Sequence, residues 1–211
     1  MRSLSLALVL ALSATALSAQ NWRDMMKMVD QDLRTQHYAH ARKWSIKMIN
    51  SMSDHLGTGN DSMYTLALTV AYRSMAEAGL KKEDEAHWYW HVATALYPKL
   101  AERDWSPYGE VGAWFAAQKS SETPAADLPV AVPVKKAEAK CPLSAINGGY
   151  YQSVTVAATV NDDGAPSCPR LVSSTDAPTL VYAALESLKQ WEFRPGSGQY
   201  QVTMNFAPPR Q

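Results

Sequence analysis

From Val154 to Val160 the side chains alternate with period two. Val154, Val156, Ala158 and Val160 fall on one face of a pleat, and Thr155, Ala157 and Thr159 on the other. Asn161-Asp162-Asp163-Gly164 follows, and its Asp-Gly pair tolerates the positive φ of a tight hairpin. A second strand is predicted to end at Val172-Ser173-Ser174, before a helix from Thr179 to Gln190 and the segment Trp191-Glu192-Phe193-Arg194-Pro195. Tyr200, Val202, Met204 and Phe206 then alternate with Gln201, Thr203 and Asn205, as a strand with one buried and one wet side should. Its apolar face is predicted to pack on the helix through Leu180, Ala184, Leu185 and Leu188. From Val154 to Pro195 the order is strand, turn, strand, helix, strand, and the Tyr200 strand follows it.

The pattern is different between about Asn21 and Gln118. Apolar residues recur at threes and fours, with breaks at Gly57, Gly59 and Asn60 and again at Gly79-Leu80, so four or five antiparallel helices are predicted. Trp90 and Tyr97 lie nearly on one face and are expected to fill a hairpin core, which leaves Trp88 and Tyr89 as candidates for an exposed contact. Ser120 to Lys140 carries Pro124, Pro129 and Pro133 among alanines and no aromatic residue, a composition that favours extended chain and a mobile tether, with a reach of roughly 65 Å. At the front, Arg2 precedes an apolar run from Leu4 to Leu12. Ala14-Thr15-Ala16 or Ala16-Leu17-Ser18 supplies the small-x-small pattern of a cleaved signal peptide. The competing reading is an uncleaved inner-membrane anchor facing the periplasm, but Leu4 to Ala19 is short for a span and diluted by Ser13, Thr15 and Ser18.

The C-terminal order and residues resemble the C-terminal domain of the TonB family. The turn at Gly164, the Ser173-Ser174 pair and the Trp191-x-Phe193-x-Pro195 element carry the resemblance, which runs from about Pro142 to Phe206. It implies a domain that grips other proteins, with no chemistry of its own. It further implies that the last strand, here Gln199, Tyr200, Gln201, Val202, Thr203, Met204 and Asn205, is offered to an extended segment of an envelope partner such as an outer-membrane receptor. Ala86, Trp90, Ala93 and Pro98 are spaced as in the second helix of a tetratricopeptide repeat, which implies a surface for proteins or peptides. A weaker copy runs through Tyr38, Ala41, Trp44 and Met48.

Charge and chemistry narrow the classes further. Twenty basic residues balance twenty acidic ones without a basic block, so the footprint of a nucleic-acid or anionic-membrane binder is missing. His87 and His91 are one helical turn apart and His37 and His40 three apart, but no His-Glu-x-x-His and no third ligand accompany them, so they are read as packing or solvent-facing residues rather than a metal site. No Gly-x-Ser-x-Gly elbow or phosphate-binding glycine loop occurs, and no cofactor is implied. In an oxidising compartment Cys141 and Cys168 are expected to pair.

These readings give an α plus α+β protein: signal peptide 1–19, helical repeat-like domain 20–119, linker 120–140 and TonB-like β-β-α-β domain 141–211. The expected function is a non-enzymatic periplasmic protein–protein interaction component binding by strand addition. The alternative is an adaptor whose helical domain recognises the partner. A tether this short, behind a cleaved signal, does not by itself cross the periplasm as a TonB energy transducer must. Mass spectrometry of protein purified from the cell envelope should find a mature chain beginning near Ala19 or Gln20; intact Met1 in a membrane fraction would restore the anchor.

Overall fold

Among the described residues five α-helices come first: α1 through residues 21–34, α2 Tyr38–His55, α3 Asn60–Gly79, α4 Glu83–Leu96 and α5 Gly109–Ala117. The computed structural model describes residues 21–118, 128–173 and 175–208; the expected signal peptide, the first part of the expected linker and Ser174 lie outside them. Among the described residues no helix is long and apolar enough to cross a membrane. The breaks fall where the sequence puts them, α2 ending before Gly57 and α3 at Gly79. Helix α3 is the hub. Twelve of its twenty residues are buried, because α2, α4, α5 and a C-terminal helix all pack on it. Ala67, Ala71, Ala86 and Ala93 let α3 and α4 approach closely. Two short 3-10 turns, Pro98–Glu102 and Ser106–Tyr108, lead into α5, where the Phe115 ring sits 4.6 Å from Trp90 and 5.8 Å from Trp105.

The remaining elements are β1 Pro133–Lys135, α6 Leu143–Gly148, β2 Ser153–Val160, β3 Pro166–Leu171, α7 Pro178–Lys189, β4 Glu192–Phe193 and β5 Gly198–Asn205. Strands β3, β2 and β5 form an antiparallel sheet in that order, and β1 pairs with β4 in a second, two-stranded one. Val154, Val156, Ala158 and Val160 are buried as the alternation requires. Ala157 on the opposite face is buried too, opposite Arg170 of β3 and Gln201 of β5. A bulge adds one residue to β3 near Cys168, whose backbone is left-handed at φ 44°.

Helix α7 packs on β2 and β3, and also against α3, α4 and α6. Nine of its twelve residues are buried, more than one apolar stripe accounts for, because α7 is sandwiched between the sheet and the helical unit. The sequence divides the chain at a tether; the structure joins the two parts through a shared interface. Gly59 N–H donates to the Asp176 carbonyl at 2.8 Å, the Tyr150 hydroxyl to the Leu56 carbonyl at 3.0 Å, and Arg73 Nη1 to the Tyr182 hydroxyl at 3.2 Å. Lys189 pairs with Glu85 and reaches the Tyr89 hydroxyl at 3.3 Å.

The second half of the expected linker is not free chain. The carbonyl of Ala137 accepts from Ser187 Oγ at 2.8 Å and Trp191 Nε1 at 2.9 Å, and Lys135 pairs with Glu192 at 2.6 Å. Extended backbone has one local sequence pattern whether it is a tether or an edge strand, and the prolines at 129 and 133 suit both.

The Asp163-Gly164 turn locks these parts together. Gly164 has φ 85°, its carbonyl accepts from the Phe193 amide at 3.1 Å, and a Cβ there would meet the Phe193 carbonyl oxygen at 2.3 Å. Gly164→Ala should therefore lower stability by at least about 2 kcal/mol through left-handed strain and displacement of β4, read as a lower urea midpoint. An unchanged midpoint contradicts the turn geometry.

Candidate functional site

Strand β5 is a ladder edge whose inner side is fully used. It pairs with β2 from Gly198 opposite Val160 to Asn205 opposite Ser153, and the Phe206 amide continues the ladder to the Gln152 carbonyl at 3.2 Å. Gln199 points the other way: its N–H donates outward to the Pro129 carbonyl at 2.8 Å and its carbonyl accepts from the Ala131 amide at 2.9 Å. Alternate residues of an antiparallel strand direct their backbone pairs to opposite sides, so Tyr200, Val202 and Met204 serve β2 while Gln201, Thr203 and Asn205 face away from it. Side-chain contacts agree with this parity. Thr155 and Thr203 hydroxyls meet at 2.9 Å and Ser153 Oγ donates to Asn205 Oδ1 at 2.6 Å, as the closer non-hydrogen-bonded pairs allow.

Among the described residues no strand lies beyond Gln201, Thr203 and Asn205. The edge is uncharged, with these three side chains exposed on one face and Met204 and Phe206 buried on the other. The structure thus separates the seven predicted partner-binding residues into three kinds. Three present an outward backbone, three are committed to β2, and Gln199 is occupied by the chain's own Pro129–Ala131 segment in a parallel bridge through Val130. Sequence reasoning missed that seat, although Gly198 signals it: a Cβ there would meet the Pro129 carbonyl oxygen at 2.8 Å and the Ala131 Cβ at 3.1 Å. The opposite edge of the sheet is not equivalent, since α4 lies against β3.

The cysteines are a correction. Cys141 and Cys168 are unbridged thiols, both half-buried. The segment leading to Cys141 runs along β4 and β5, whereas Cys168 lies on β3 at the far side of β2, and spacing in sequence carries no record of that separation. Burial pushes the Cys141 thiol above its ordinary range.

Trp88 and Tyr89 are also placed differently from expectation. Both are buried, with Lys189 of α7 4.3 Å above the Tyr89 ring and 5.9 Å from the Trp88 ring, so the surface they contact is the chain's own C-terminal part. His87 packs on Trp114 at 4.8 Å between ring centroids, and His40 bonds Asp32 at 2.6 Å and accepts from Trp44 Nε1 at 2.8 Å. Among the described residues no group of three or more metal-ligating side chains gathers.

On the helical unit an open groove of about 730 Å³ lies between α1 and α3, with Trp22, Met26, Leu56 and Tyr72 in its wall. Asp30 at its side accepts from the hydroxyls of Tyr72 at 3.1 Å and Tyr108, and pairs with Arg34 at 2.7 Å. Burial works to raise the Asp30 carboxyl, but these donors outweigh it and hold the carboxyl below its ordinary range.

Residues 138–208 match the family model described as the Gram-negative bacterial TonB protein C-terminal. The resemblance read from Pro142 to Phe206 lies within that segment. A solution NMR structure of the Pseudomonas aeruginosa TonB C-terminal domain aligns with 41% of this chain and 99% of its own at 16% identity, with a TM-score of 0.36. No curated protein matches the chain. The C-terminal part is therefore TonB-like in sequence, and it is preceded by an all-α unit.

Thiol titration of unreduced, denatured protein should count two thiols per chain, one each from Cys141 and Cys168. A count of zero means the pair is bridged.

Proposed function

We propose that this is a non-enzymatic protein–protein interaction component of the periplasm, whose C-terminal domain takes up an extended segment of an envelope partner by strand addition on β5. The observation that carries the reading is the outward backbone of Gln201, Thr203 and Asn205, beside a ladder that is otherwise complete. Backbone hydrogen bonds supply the affinity, and the exposed side chains of the same three residues supply the selectivity. The TonB-like match over residues 138–208 supports a role in gripping envelope proteins, and the front of the chain supports export through a cleaved signal. The helical unit favours the single-edge arrangement by lying against β3 and α7, which leaves β5 as the accessible side of the sheet.

A second reading has the helical unit recognise the partner and the C-terminal domain serve as an anchor. The groove between α1 and α3 is the observation in its favour.

Thr203→Pro separates the two. Its missing N–H faces outward, so the ladder with β2 should survive and the domain should stay folded, as edge strands accommodate proline. Capture of an envelope partner should weaken by about tenfold or more, the worth of a lost backbone bond and a blocked approach. Undiminished capture by a folded variant moves recognition to the helical unit.

A further inference from the structure

Five buried side-chain polar atoms of the described residues have no hydrogen-bond partner, and four of them gather where α7 meets the helical unit: Arg73 Nε, Glu77 Oε2, Trp88 Nε1 and Glu186 Oε1. Around these atoms three carboxylates, Glu77, Glu85 and Glu186, meet three cations, Arg42, Arg73 and Lys189. Arg42 Nε bonds Glu77 at 2.6 Å, Arg73 lies 3.9 Å from Glu77 and 3.7 Å above the Tyr89 ring, and Lys189 pairs with Glu85. Interfaces that stay shut leave few such atoms unsatisfied, because each forfeits its hydration without recompense. Opening this one returns Glu186 Oε1, which α7 carries into the joint, to water.

We propose that the joint between α3–α4 and α7 is a pH-sensitive latch, closed when Glu186 is protonated and released when it is ionised. The geometry is asymmetric around that residue. Glu186 sits on α7 with Oε1 shut from solvent and without a hydrogen bond, so its ionised form loses more hydration on entering the joint than its neutral form does. The groups acting on it come from both sides of the joint: the charges of Arg73 from α3, Glu85 from α4 and Lys189 from α7 itself, and the Tyr89 hydroxyl of α4, which donates a hydrogen bond to the carboxyl. Burial is the largest influence and lifts the carboxyl above its ordinary range, with Glu85 adding to the rise and Arg73, Lys189 and Tyr89 opposing it. The sign follows. A carboxyl with a higher pKa docked than free binds a proton on docking, so closure strengthens as pH falls through the docked value and weakens as pH rises above it. Each pH unit between the docked and free values is worth about tenfold in the docking equilibrium.

Opening has a structural consequence independent of strand addition on β5. It uncovers Trp88, Tyr89 and Tyr182, and it withdraws α4 from β3, baring the second edge of the sheet.

Hydrogen–deuterium exchange of the full chain tests this, with labelling times scaled for the intrinsic pH dependence. In the wild type, α4 and α7 peptides should exchange several-fold more slowly at about pH 5 than at about pH 8, with β2 unaffected. Glu186→Gln should hold them slow at both, with wild-type circular dichroism. Should that variant fail to fold, Lys189→Gln provides the second arm, because losing a cation that holds Glu186 ionised should move the transition to higher pH. Equal wild-type exchange at both pH values overturns the latch. So does a Glu186→Gln chain that keeps the wild-type pH step, or a Lys189→Gln chain whose transition does not move upward.

Discussion

Helix α7 is buried on two sides, and the rest of the structure depends on that. Leu180, Ala184, Leu185 and Leu188 are fully buried, while Tyr182 and Lys189 on the same helix reach Arg73, Glu85 and Tyr89 of the helical unit. A small sheet covered by a single helix has a thin core, and a helix of twelve residues with one free face would leave much of its apolar surface in water. Here the helical unit supplies the missing layer. The five N-terminal helices therefore act as part of the C-terminal core, besides whatever they recognise themselves.

That layer decides which backbone is left to a partner. With α4 against β3, the accessible side of the sheet among the described residues is β5, and the chain's own Pro129–Ala131 segment takes its first position at Gln199. What remains is short: three residues, uncharged, with outward amides and carbonyls. A short polar edge next to a proline-bearing strand is how soluble proteins keep strand pairing selective, since it resists indiscriminate association while leaving room for a matched segment. Val130, Val132 and Val134 stand exposed along the neighbouring strand, with Pro129 and Pro133 interrupting their pairing potential.

Local pattern was enough for most elements, though not for β1 or α6. The alternation at Val154–Val160 and Tyr200–Phe206 places β2 and β5, Asp163-Gly164 places the turn, and the glycines at 57, 59 and 79 place the helix ends. Periodicity tells which face of an element is covered and nothing about what covers it, and the errors arose there. Trp88 and Tyr89 read as surface because their partner is more than ninety residues away in α7. Residues 129–137 read as tether because extended chain has the same composition free or paired. The cysteines read as a bridge because spacing does not record strand order. Two signals were legible and pointed to the missing contacts: the apolar residues around more than one face of Pro178–Lys189, and a glycine at 198 in the first position of an alternating strand.

Residue-resolved amide exchange along β5 of the free protein addresses the central claim, that one short stretch of backbone is held open by the closure of everything around it. The amides of Gln201, Thr203 and Asn205 should exchange at nearly unprotected rates, while those of Gln199, Tyr200, Val202, Met204 and Phe206 are protected by the Pro129 carbonyl or by β2. Uniform protection from Gln199 through Phe206 would mean the edge is already covered, and would contradict the account.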